Sequence, residues 1–400
     1  MVSSSATSPL SRLPSRVSGE IAIAAVQYGD YEQALRTIES GEPESYFGMV
    51  QSVDVLSGLV GSRRHLVVSL TARSYRVERG EGLLVGCPEP KIPFAPASVT
   101  AFLHARRIVR ELRAFRPTHL LLRATGIIAW QCLHYAIKNQ VSTLGGFAAR
   151  FDLPRAPHLR YVANRLVEQL NHPLVYRVGN HRKPATDSMV DHGVAREKSV
   201  AWDYEGLRKP EDHPAKSTPR TDPTTVLYVG AMIHAKGLGD LIKATQLLRE
   251  QGRNIRVLAA GSGADLPTFK ALCPAGGPVE LLGSISNDRA FQLMQEADLV
   301  CVPSRHDFPE GMPLTVTEAL ASRTPTVASD HPVLKAAFLD GEGVKFFRAA
   351  DPTDLAKTIA EVLSTRGLYA TLSRTAPAAF ARVACATTIR DLVGGWAARF

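Results

Sequence analysis

"TVLYVGAMIHAKGLGDLIKATQLLREQGRNIRVLAAGSG", residues 225–263, holds a short apolar run ending at Gly230, a loop, a helical stretch from Lys236 and a second apolar run over 255–261. A continuous apolar run of that length, closed by glycine, suits a strand buried on both faces. Strand, helix and strand in that order make a parallel β-α-β unit. The alternation continues. "VELLG" (279–283), "DLVCVPS" (298–304) and "TPTVAS" (324–329) are expected strands, with helices over 264–272, 287–296, and after 313, 331 and 351.

The front of the chain repeats the scheme. "IAIAAV" (21–26), "HLVVSL" (65–70) and "HLLLRA" (119–124) read as buried strands. Between them, "YFGMVQSVDVLSGLVGS" and "SVTAFLHARRIVRELRAF" place apolar residues at three- and four-residue spacing, as helices packed on a sheet do. "DYEGLRKPEDHPAKSTPRTDP" (203–223) has four prolines, many charges and almost nothing apolar, and reads as a linker. The 400 residues exceed what one core usually supports. The expected fold is therefore α/β, with two doubly wound Rossmann-like domains facing each other across a cleft. The expected divisions are a disordered tail over 1–20, a first domain over 21–203, a linker over 204–223 and a second domain over 224–382. A final helix over 383–400 would return to the first domain. Ligands in such folds sit at the carboxyl ends of the strands.

Composition narrows the function classes. A formal charge of +9 favours an anionic partner: a nucleotide, a nucleic acid or an acidic membrane surface. No nucleic-acid module signature accompanies it, and no apolar run reaches the roughly 18 residues of a membrane span. The five scattered cysteines fit a reducing compartment and neither a disulfide framework nor a zinc site. "AVQYGDYE" (25–32) lacks the GxGxxG of a dinucleotide-binding dehydrogenase.

The chemistry concentrates in "RHDFPEGMPLTVTEALASRTPTVASD" (305–330). Pro313 suits a first helical position, so the free N–H groups of a helix mouth, which attract phosphate, are expected near Met312. Glu310 stands just outside that mouth and would repel phosphate, which suits it to neutral hydroxyls. Glu318 lies up to roughly 12 Å further on. Hydroxyl acceptors on either side of a phosphate site match a ligand with sugars flanking a diphosphate, a nucleotide sugar. The plainer alternative, one glutamate stabilising the helix dipole and one solvated, stays open on spacing alone. Lys236 opens a helix at a strand end, where a point charge would face a diphosphate. Gly261 and Gly263 follow a strand and would let backbone approach a ligand. "LLGSIS" (281–286) offers small residues for a flat base.

Taken in order, the Gly-x5-Lys-Gly turn, the GxG turn, the Leu-Gly turn and "PEGMPLTVTEALASRTPTVASD" resemble glycosyltransferase family 4, retaining enzymes of the GT-B fold. The resemblance is specific over 225–365 and looser over 20–200, where it rests on element order and "HGVAREKSV" (192–200). It implies transfer of a hexose from a nucleotide diphosphate sugar to a glycan, lipid-linked or small-molecule hydroxyl, without a metal or other cofactor. Polysaccharide or glycoconjugate biosynthesis in the cytoplasm, with contact to an acidic membrane face, is the implied setting. Glu310 would hold the transferred sugar, backbone N–H groups of Gly311, Met312 and Leu314 the sugar and phosphate, and Glu318 the ribose. Lys236 would neutralise the leaving diphosphate, and Gly230, Ser284 and Ile285 would line the phosphate and base sites.

Two departures stand out. Ala231 occupies the place where many members carry an arginine, leaving Arg305 or Arg123 as candidate substitutes. "VSTLGGFAARF" (141–151) lacks the family's strand-end histidine, leaving His119, His104 and His134. A non-catalytic GT-B partner, an epimerase and a phosphorylase are the competing readings. Acceptor contacts are expected in loops 27–46 and 71–96, near Arg73, Arg76, Arg79 and Lys91. Arg106, Arg107, Arg110 and Arg113 on the 97–114 helix suit either a membrane surface or plain solvation.

Overall fold

The computed structural model describes residues 20–41, 48–151, 154, 156–219, 222–308 and 310–400. The tail expected over 1–20 falls outside the described residues, apart from Glu20.

The first domain opens with β1 (Ile23–Tyr28), α1 (Tyr31–Glu39), α2 (Met49–Val60), β2 (His65–Leu70), β3 (Tyr75–Arg79), β4 (Gly82–Gly86) and α3 (Ala97–Phe115). It continues with β5 (His119–Arg123), α4 (Gly126–Lys138), β6 (Ser142–Phe147), α5 (Pro157–Leu170), β7 (Val175–His181), α6 (Lys183–Asp191) and β8 (Ser199–Asp203). The second domain runs β9 (Thr224–Val229), α7 (Leu238–Glu250), β10 (Ile255–Ala260), α8 (Leu266–Leu272), β11 (Val279–Gly283) and α9 (Asn287–Glu296). Then come β12 (Leu299–Val302), α10 (Leu314–Ala321), β13 (Thr326–Ser329), α11 (Pro332–Ala337), β14 (Val344–Phe347), α12 (Pro352–Ser364) and α13 (Leu368–Val383). β15 (Thr387–Thr388) and α14 (Ile389–Ala397) close the chain.

Two sheets result, ordered β15-β8-β7-β6-β5-β1-β2-β4-β3 and β11-β10-β9-β12-β13-β14. Every pairing is parallel except that of β3 with β4. The antiparallel β3–β4 pair lies inside the stretch 71–96 that the sequence reading treats as loop. β3 alternates exposed and half-buried residues at the sheet edge, and so lacks the continuous apolar run that marks an interior strand.

Each sheet reverses direction once. In the first, the chain leaves β1 toward β2 and later returns to place β5 on its other side; in the second, β10 and β12 flank β9. The crevices outside those strand ends are the ligand positions of doubly wound folds. Aliphatic residues fill both faces of both sheets, with Leu66, Leu120 and Leu133 in one cluster and Val226, Leu241 and Ile359 in another.

The linker is strapped to the second domain. The Lys216 amine is buried, donating to the carbonyls of Met294 and Ala297, and Arg208 reaches Asp288 and Glu318. Its charged residues therefore act as anchors, a use that composition alone does not reveal. The chain crosses back after α13, and Ile389, Leu392, Val393 and Trp396 of α14 join the first-domain core beside Trp202. The Thr388 side chain and Asp391 form a reciprocal cap at the start of that helix.

Candidate active site

Lys236 and Glu310, 74 positions apart, meet at the cleft. The Lys236 amine donates to Glu310 Oε1 at 2.5 Å, and the Ser304 hydroxyl donates to the same oxygen at 2.6 Å. Lys236 also sits over the Phe308 ring, 4.2 Å from its centroid. The Glu310 side chain is 6% exposed and that of Lys236 18%, so the pair is largely withdrawn from water.

Several elements build this arrangement. A single 3-10 turn, His234–Lys236, follows β9 and presents the lysine. Arg305 clamps that turn: its guanidinium makes two bonds to the buried carboxylate of Asp240 at 2.9 and 2.7 Å and a third to His234 Nε2 at 2.7 Å. Arg305 is thus occupied, which corrects its candidacy as a free cation for a diphosphate. Arg123, the other candidate, ends β5 and lines a separate first-domain cavity 3.5 Å from Gln27 Oε1. Neither arginine is among the residues lining the cavity that Ala231 borders.

The helix mouth lies one residue later than the spacing predicts. Pro313 is the cap, with extended ψ, and α10 begins at Leu314. Gly311 faces the opposite lobe, where a Cβ at that position would lie 3.0 Å from the Ala148 carbonyl oxygen. Glu318 points from α10 into a cavity of about 360 Å³ bounded by Gly230, Ala231, Gly261, Ser284, Ile285, Leu314, Thr315 and Glu318, among others. Its carboxylate lies 3.4 Å from Arg208. Six of the expected donor residues therefore line one cavity, with Lys236 and Glu310 placed together as an ion pair.

Gly261 and Gly263 have a different local reason from the one expected. A Cβ on Gly261 would fall 1.9 Å from the Gly230 carbonyl oxygen, and one on Gly263 would fall 2.4 Å from that of Met232. Those glycines let two loops of the protein itself touch, and Gly263 does not line the cavity. Met312 is buried in the core beneath the turn.

The candidate histidines are elsewhere. His119 begins β5, at the end away from the cleft, and stacks on Phe400 with centroids 3.9 Å apart. Burial there pulls its imidazole down to about 4. His104 is buried and bonds the Cys87 carbonyl, and His134 is exposed on α4. The histidine that does stand near the pair is His331, which the sequence reading passed over. Its Nε2 contacts the Phe308 carbonyl at 3.0 Å, and burial lowers its pKa, keeping the ring neutral. Burial also pushes the Tyr228 phenol up, with the Glu310 carboxylate adding to it, and its hydroxyl donates to the Ala231 carbonyl. Phe308 lies inside the quoted motif and was legible as an aromatic beside the turn; Arg208 had no local signal.

The arginines of the 71–96 stretch are paired: Arg73 with Glu32 and Asp30, Arg76 with Glu111, Arg79 with Glu39. Among the described residues no cluster of three His, Cys, Asp or Glu side chains could hold a metal ion, and no helix is long and apolar enough to cross a membrane.

Comparison with known proteins bears on this geometry. Residues 209–379 match the family described as glycosyl transferases group 1. The chain is 25% identical over 293 residues to an alpha-D-kanosaminyltransferase of Streptomyces kanamyceticus, covering 72% of this chain and 67% of the relative. It is 29% identical over 252 residues to a D-inositol 3-phosphate glycosyltransferase of Mycolicibacterium vanbaalenii, covering 58% of this chain and 53% of that protein. The fold is similar to that of Anabaena HepE in complex with UDP-glucose, at a TM-score of 0.58 and 14% identity, over 95% of this chain and all of the other.

Proposed function

We propose that this chain, whose residues 209–379 match the group 1 glycosyl transferases, is a glycosyltransferase that moves a hexose from a nucleotide diphosphate sugar to an acceptor hydroxyl with retention of anomeric configuration. In that reaction the bond from the sugar's anomeric carbon to the diphosphate oxygen breaks, and the acceptor oxygen bonds on the same face. The departing diphosphate takes the acceptor's proton. The protein's task is then to stabilise charge growing on the leaving group and to hold both partners in line.

The residues divide that work. Glu318 accepts the ribose hydroxyls, and the small side chains at Ser284 and the Ile285 surface admit the base. Lys236 turns from Glu310 to the diphosphate, and Glu310, released from its partner, accepts hydroxyls of the transferred sugar. Backbone N–H groups of Gly311, Met312 and Leu314 complete the phosphate and sugar contacts, as expected at the mouth of a helix. The single observation supporting this reading is the ion pair of Lys236 and Glu310 beside the cavity that Gly230 and Glu318 share.

A thermal-shift screen of UDP, GDP, ADP and CDP tests the donor site. A cognate diphosphate at 100 times its Kd should stabilise the fold by about 2.7 kcal/mol. No shift with any of them would end the donor-site assignment. Proton NMR of the transferred sugar's anomeric coupling then reads retention, and an inverted product would end the same-face mechanism.

A further inference from the structure

The turn that carries Glu310 is stitched at three places to the end of β13 and the link into α11. The Ser329 hydroxyl donates to the Ser304 carbonyl at 2.5 Å, and His306 Nε2 donates to the Asp330 carboxylate at 2.8 Å. His331 Nε2 makes the third bond, to the Phe308 carbonyl oxygen at 3.0 Å. The backbone N–H of Glu310 donates to that same oxygen at 2.8 Å, so two donors fix one peptide.

The His331 ring is committed at both edges. It is buried and caps α11, its Nδ1 accepting from the Val333 N–H at 3.3 Å. A carbonyl oxygen can only accept, so the one proton of the neutral ring sits on Nε2 and points to Phe308. Burial keeps the ring neutral, as the acceptor role of Nδ1 requires. A cap alone is served by Ser, Thr, Asp or Asn. The imidazole adds a donor on the opposite edge, and here the two edges join helix to turn.

What that donor holds sets the geometry of the site. The Phe308 ring centroid lies 4.2 Å from the Lys236 amine, and two positions later Glu310 Oε1 accepts from the same amine. Fixing the Phe308 peptide therefore fixes both partners of Lys236. His331 is not among the residues lining the donor cavity, so any influence it has passes through the turn.

We propose that His331 is a positioning residue: as the Nε2–H tautomer it holds the Phe308–Glu310 turn against α11 and so places the Glu310 carboxylate and the Phe308 ring around Lys236. Its effect on turnover rests on the transferase reading; its hold on the turn does not.

Two variants divide the two bonds. Asparagine offers an acceptor to the Val333 N–H and is a good cap, but it is too short to reach Phe308. The terminal amide of glutamine reaches the place of Nε2 and keeps the donor while giving up the cap. His331→Asn should lower kcat about tenfold, the scale of one hydrogen bond that orients a reacting group, with the urea midpoint close to the parent's. His331→Gln should keep kcat close to the parent's and lower the midpoint. A histidine that serves only the fold gives the reverse pattern, with activity following the midpoint. Nitrogen-15 NMR of labelled histidine reads the tautomer without turnover, the His331 signal being assigned by its loss in either variant. Protonated Nε2 and bare Nδ1 are expected at neutral pH. The Nδ1–H tautomer, parent-like kcat in His331→Asn, or equal loss of kcat in both variants would each overturn the proposal. A parent that turns over no nucleotide sugar would instead sink the transferase reading, and the tautomer would still decide whether His331 holds the turn.

Discussion

Lys236→Met separates what the cleft does for stability from what it does for reaction. The substitution keeps most of the side chain's volume and removes its charge. Glu310, 6% exposed, is left with the Ser304 hydroxyl as its remaining side-chain donor. Breaking a fully buried ion pair by removing one partner costs about 3–5 kcal/mol. Lys236 is 18% exposed and the serine bond persists, so about 1–3 kcal/mol is expected, read as a lower midpoint in urea. Turnover should fall by about 10²–10³, the usual effect of removing one group that stabilises charge in the transition state. Adding Glu310→Gln removes the stranded carboxylate's charge, and the double variant should recover to within about 1 kcal/mol of the parent. Its turnover should stay low, because neither charge is available to the donor. Steady-state kinetics with the cognate nucleotide sugar decides the matter. Turnover close to that of the parent in Lys236→Met, or activity and stability recovering together in the double variant, would refute the reasoning.

Glu318→Ala should weaken binding of the cognate nucleoside diphosphate about tenfold by calorimetry, the scale of one hydrogen bond to a charged group, with little change in the fold. Gly311→Ala sets a methyl 3.0 Å from the Ala148 carbonyl oxygen and should lower kcat about tenfold by holding the lobes slightly apart, with the urea midpoint unchanged. Stability should decline as pH falls from about 6.5 toward 4. His119 is held near 4 in the fold against an ordinary 6.5, so the unfolded chain binds the proton first, and the loss is complete only below the folded value. His119→Phe keeps a ring stacked on Phe400 and should shallow the pH dependence of the thermal midpoint across that window, leaving the share of the other buried histidines, His181 and His331.

Interior strands were legible because a parallel strand covered on both faces is apolar along most of its length, and "HLVVSL" matches β2 residue for residue. The motif at 305–330 was legible because proline and glycine at a helix mouth restrict the backbone wherever they occur. Chemistry read from one residue's type was less secure. Arg305 had the charge a diphosphate needs, yet Asp240 holds it; Gly261 had the freedom a ligand loop needs, yet the Gly230 carbonyl uses it.

What the amino-acid order determined by itself is the alternation of buried strands and covering helices, since periodicity and turn residues act over a few positions. The pairing of Lys236 with Glu310 and the anchoring of Arg208 at Glu318 were decided by tertiary structure. Each joins residues many tens of positions apart, and short-range pattern carries no information about which charges two sheets will bring within a few ångströms of one another.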